Sequence, residues 1–115
     1  MDKSLQVDQH TLVQAWQQQL PEMLGAGDSS IVQGDNANPQ ALCIHINVAG
    51  HQKYSFDFSC AYQDSRELKV SLTDVERDGR SVDEHTEIIQ ELADDYVRHI
   101  HECAQVLHSV TNPIH

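Results

Sequence analysis

The sequence predicts an α+β fold in a single domain spanning residues 1–115. An N-terminal helix, an antiparallel meander of three to four strands and a long amphipathic C-terminal helix follow in order, with both helices on one sheet face. Three observations predict this. Apolar residues recur at helical spacing from about Asp83 to about Val110, three segments between Leu42 and Thr73 alternate apolar with polar residues, and 115 residues suffice to bury one core.

The first helix is marked by Asp8, a suitable N-cap, and by Leu12, Val13, Trp16, Leu20 and Leu24 on one face. Pro21 requires a kink or a restart, and Gly25 is a C-terminal stop. Residues 1–7, which precede this helix, are expected to be disordered. Residues 25–40, rich in Gly, Asp, Asn and Ser, read as a mobile loop, or a loop plus an edge strand at Ile31-Val32.

The middle of the chain is β. Leu42, Ile44, Ile46 and Val48 alternate with Cys43, His45 and Asn47; Tyr54, Phe56, Phe58, Cys60 and Tyr62 alternate with Ser55, Asp57, Ser59 and Ala61; Leu68, Val70 and Leu72 oppose Lys69, Ser71 and Thr73. Period-two alternation is what a half-buried antiparallel sheet requires. Matching apolar residues sets Ile44 opposite Phe58, Ile46 opposite Phe56 and Val48 opposite Tyr54. That register sets Cys43 opposite Ser59, His45 opposite Asp57 and Asn47 opposite Ser55, with Ser71 beside Ser59 and Thr73 beside Asp57. These eight residues form the polar face that the helices leave open, and are the first candidate binding surface.

The last helix buries the widest stripe: Ile88, Ile89, Leu92, Ala93, Tyr96, Val97, Ile100, Cys103, Ala104, Leu107 and Val110. Ser81-Val82-Asp83-Glu84 reads as a capping box at its start, and Thr111-Asn112-Pro113 ends it, leaving 111–115 as a tail. Ile89, Ala93, Tyr96, Ile100, Cys103, Leu107 and Val110 also keep heptad spacing, but Ala, Tyr and Cys are poor coiled-coil core residues, so packing on the sheet is expected. Glu84, Glu87, Glu91, Asp94, Asp95 and Glu102 occupy the other side and are the second candidate binding surface.

Eighteen acidic residues against seven basic ones give a formal charge of −11, which disfavours nucleic acid and anionic membrane as direct partners. The balance suits a basic partner protein, and it also suits solubility alone. Eight histidines mean that full protonation would bring the charge to −3, removing most of the self-repulsion in mild acid. Three cysteines without a CxxC pair read as free thiols, two of them in the core. They fit a reducing compartment, and MDKSLQVDQH carries no apolar run resembling a signal peptide, so a cytoplasmic location is expected.

Two constellations invite a catalytic or metal reading. Cys43, His45 and Asp57 share the open face, but Cys43 and His45 lie two residues apart on one strand, about 7 Å, too far for a working thiol–imidazole pair. Asp95, His99 and Glu102, with Glu91 a turn above, could face a divalent ion, yet one helix does not enclose a metal and no HExxH is present. No residue is assigned a catalytic role, and neither a metal nor a cofactor is expected. The expected function is that of a non-enzymatic, acidic protein-interaction module: an adaptor, inhibitor or immunity-type protein with a basic partner. In size, acidity and its amphipathic C-terminal helix the chain resembles type III secretion chaperones. That resemblance implies a chaperone acting as a homodimer. A small metal- or thiol-dependent enzyme is the third alternative.

Overall fold

The computed structural model describes residues 7–49, 54–65, 67–83 and 85–111. Among these, α1 (Gln9–Met23) leads into five strands, β1 (Ser29–Gly34), β2 (Ala41–Asn47), β3 (Tyr54–Tyr62), β4 (Leu68–Arg77) and β5 (Arg80–Ser81). Helix α2 (Glu87–Val106) and the short α3 (His108–Thr111) follow. Every strand is antiparallel to its neighbour, in the order β1-β2-β3-β4-β5, so the sheet is a pure meander.

Both helices cover the same face of that sheet, as expected. Leu12, Trp16 and Leu20 from α1 and Ile89, Ala93, Tyr96, Ile100 and Cys103 from α2 are buried. They meet the inward residues of the strands, among them Val32, Ile44, Ile46, Phe56, Phe58 and Val75. The heptad seam of α2 is thereby used inside the chain: Tyr96 packs on Phe56 with ring centroids 5.4 Å apart. Trp16 Nε1–H donates to the buried Tyr62 hydroxyl at 3.2 Å, which lets the indole sit in the core with its polar atom satisfied.

The β2–β3 register is the one that apolar matching predicts, from Cys43↔Ser59 through His45↔Asp57 to Asn47↔Ser55. On β4 the expectation holds only in part. Ser71 pairs with Ser59, but the register shifts between Asp57 and Phe58, and Asp57 pairs with Asp74 rather than Thr73. This is a β-bulge: Thr73 and Asp74 together oppose one residue, which moves the next inward side chain to Val75. Strand β4 therefore runs past Thr73 to Arg77 and turns at Asp78 (φ 55°) and Gly79 (φ 81°) into β5, the geometry of a tight hairpin turn.

Four boundaries differ from expectation. Helix α2 begins at Glu87 with Thr86 as N-cap, because Ser81 is committed to β5 and Asp83 instead accepts from the His85 backbone N–H. Ile88, assigned to the stripe, is 58% exposed. Helix α1 continues through Pro21 to Met23, and Thr111 is no tail: it is buried in α3, its hydroxyl donating to the Ser65 carbonyl. Val7, expected to be disordered, packs partly against the core. Of the two readings of residues 25–40, the loop with an edge strand is the one found, with β1 extending beyond Ile31-Val32 on both sides. The expectations for residues 1–6, for 112–115 and for Glu84 lie outside the described residues.

Candidate functional site

The sheet face that no described helix covers presents three cross-strand rows. The central row is Ile31–His45–Asp57–Asp74, flanked on one side by Gln33–Cys43–Ser59–Ser71 and on the other by Ser29–Asn47–Ser55–Glu76. At about 4.8 Å per strand, the central row spans about 14 Å. It runs from an apolar end, where Ile31 is half exposed, to an acidic end.

Strand pairing puts these groups in contact. His45 Nδ1 lies 2.6 Å from Asp57 Oδ1, both side chains about one third exposed. His45 Nε2 lies 3.3 Å from Asn47 Oδ1, and Asn47 Nδ2 in turn donates to Ser29 Oγ. Both ring nitrogens thus face oxygen atoms, and a ring carrying both protons donates twice. At the bulge, Thr73 Oγ1 donates to the Asp57 carbonyl at 3.0 Å. Asp74 accepts from the Val75 backbone N–H and from the Ser81 hydroxyl.

Asp57, Asp74 and Glu76 are half-buried, with carboxylate oxygens within 4.8 Å of one another. Three carboxylates this close raise the local negative potential and favour a cation of any kind, whether an ammonium, a guanidinium or a hard divalent ion. The surface around them is concave. A depression of about 510 Å³ runs over Ile31, Cys43, His45, Asp57 and Asp74, and one of about 610 Å³ over His45, Asn47, Ser55 and Glu76.

All eight residues expected on the polar face lie on it, with Thr73 displaced onto the bulge. Asp74 and Glu76 were not expected there, and neither were Ile31 and Gln33. The alternation of Asp74, Val75 and Glu76 was the available signal, hidden by the phase shift at Thr73. The His45 nitrogens face Asp57 and Asn47 rather than the thiol, and Cys43 is pushed above its ordinary value by desolvation and by the carboxylates of Asp35 and Asp57. A thiol held protonated is a poor nucleophile. Cys60 and Cys103 are buried, and burial pushes each up to about 12.

The second expected surface is separate. Glu87, Glu91, Asp94, Asp95 and Glu102 are all exposed on the side of α2 that faces away from the sheet. Asp95 pairs with Arg98 at 3.1 Å and His99 Nδ1 with Glu102 at 2.8 Å, both at i,i+3, so the pairing differs from a shared Asp95–His99–Glu102 ion site. His101 and His108 border a cavity of about 350 Å³ between α2, α3 and the β3–β4 connection, with Tyr62 and Leu68 in its wall. No helix among the described residues is long and apolar enough to cross a membrane. The chain matches no protein-family model, no curated protein and no solved structure.

Proposed function

We propose that the protein is a non-enzymatic interaction module, of the adaptor, inhibitor or immunity type, that binds a basic segment of a partner protein across the open face of its sheet. The observation that carries this reading is the convergence of Asp57, Asp74 and Glu76 at one end of a concave face whose other end is apolar. A partner segment with a lysine or arginine about 14 Å from an apolar side chain would complement the central row. The charge of −11 would speed the encounter with a basic protein and make it salt-sensitive. Three free thiols suit a reducing, cytoplasmic setting.

The test is affinity capture from the host lysate at low and high salt with three baits: wild type, an open-face variant (Asp57→Asn, Asp74→Asn, Glu76→Gln) and a helix variant (Glu91→Gln, Asp94→Asn, Asp95→Asn). The expected result is one basic protein, released by salt, retained by wild type and by the helix variant and lost from the open-face variant. Capture that is indifferent to salt, or lost only from the helix variant, would overturn this reading.

A further inference from the structure

The cavity beside the end of α2 has hydroxyl groups in its wall that the protein itself does not use. Tyr62 and Ser65, each 4% exposed, both line this space of about 350 Å³. The Tyr62 oxygen accepts from Trp16 Nε1–H, but its own O–H finds no acceptor among the described residues. The Ser65 hydroxyl has no partner among them either; it is the Ser65 carbonyl that takes the Thr111 proton. Buried polar groups are nearly always bonded, so two hydroxyl protons without acceptors beside one cavity call for an acceptor inside it.

The remaining lining narrows what that acceptor can belong to. Leu68, Ala104 and the Tyr62 ring supply apolar wall, and the described residues that line the cavity include no carboxylate, lysine or arginine. An anion is disfavoured by the chain's charge of −11. It is disfavoured again by the last turn of α2, which contributes Ala104 and Gln105 and is the negative end of the helix dipole. An ammonium ion brings protons and no lone pair, so both hydroxyls would stay unsatisfied. A neutral molecule meets every one of these conditions, and cavities from about 300 Å³ upwards commonly hold small ligands.

We propose that this cavity is a binding site for a small neutral carbonyl compound with an apolar body, such as an aromatic amide, whose oxygen accepts from Tyr62 and Ser65. The body packs on Leu68 and Ala104, and the exposed His101 and Gln105 stand at the rim. The site is independent of the open-face reading, because Tyr62 belongs to the core on the helix-covered side of the sheet.

The test titrates the full chain with benzamide at neutral pH and follows the backbone amides in proton–nitrogen correlation spectra. Expected are saturable shifts at Ser65, Leu68, Gln105 and Thr111, with half-saturation in the millimolar range that a fragment of this size allows. Benzoate and benzylammonium, close to benzamide in shape but charged, should bind at least about tenfold more weakly. Tyr62→Phe keeps the ring, deletes one of the two protons and should weaken benzamide about fivefold. Ser65→Ala should do the same, and serves alone if Tyr62→Phe does not fold without the Trp16 contact. Ala104→Leu fills the space with a good helix former and should abolish the shifts while the circular dichroism stays that of wild type. Benzamide shifts that are absent, or scattered away from the cavity, would mean that water alone satisfies the two hydroxyls and would overturn the proposal. Benzoate binding as tightly as benzamide, or benzamide binding undiminished in Ala104→Leu or in the hydroxyl variants, would overturn it as well.

Discussion

The open face of the sheet and the outer face of α2 carry the same kind of charge and hold it in opposite ways. On the sheet, Asp57, Asp74 and Glu76 come from two adjacent strands and are half-buried, with the Asp57 carboxylate held by His45 and that of Asp74 by Ser81. On the helix, the carboxylates stand in water, and the pairs Asp95–Arg98 and His99–Glu102 join only neighbouring turns. Exposed pairs of that sort contribute a few tenths of a kcal/mol and do little to fix a side chain. Charge count therefore says little about recognition; what the backbone does with the charges decides whether they form a shaped surface.

The largest effect should come from the border between the charged side of α2 and the core. Ile100→Asp buries an unpaired charge at a position with no exposure and should cost more than about 4 kcal/mol in urea unfolding. Ile88→Asp, in the same sequence stripe but 58% exposed, should stay within about 0.5 kcal/mol. Equal costs would mean that α2 is buried on both sides.

Asp57→Ala should cost about 1 kcal/mol through the loss of its contact with His45, discounted for its partial exposure. Asp95→Ala should cost no more than about 0.5 kcal/mol. A loss above about 2 kcal/mol at Asp57 would show that the open face is covered in solution. Thiol labelling sharpens the same point: in the native protein Cys43 should react slowly and Cys60 and Cys103 not at all, with all three reacting in denaturant. Protection of Cys43 in the native state would again indicate a covered face.

The smallest effect lies outside both surfaces. Hydrogen bonding to Thr11 holds the Asp8 carboxyl below its ordinary value, so its contribution is present above the unfolded-state value and is lost as the pH falls through the folded one. Asp8→Ala should slightly lower the thermal midpoint at neutral pH, and the difference should vanish in strong acid.

How far the sequence reveals this molecule follows from which constraints are periodic. The alternation in Leu42–Val48 and Tyr54–Tyr62 specifies faces, and matching the apolar residues then specifies the register down to His45↔Asp57. One extra residue at Thr73–Asp74 destroys the alternation, so the second half of β4, β5 and with them Asp74 and Glu76 could not be read. The apparent capping box at Ser81–Glu84 misled for a related reason: Asp78-Gly79 reads as a turn, but the bulge hides the strand leading into it, and so the pairing that takes up Ser81. Gln17 sits in a run of three glutamines that looks featureless; its bonds to Ser30 and Val32 depend on where α1 lies, and propensity carries no trace of that.

The meander order has a kinetic consequence. Each strand pairs with its neighbour in the chain, so the sheet can assemble by successive hairpin closures, each with a small loop entropy. The contacts of α1 with α2 and α3 join the two ends of the described chain and have the largest loops to close. Folding is then expected to divide in two: an early sheet with its apolar face bare, and a later docking of the two helices. A core substitution such as Ile100→Val should chiefly speed unfolding, while a loss within the Ile44–Phe58 or Ile46–Phe56 pairs should slow folding.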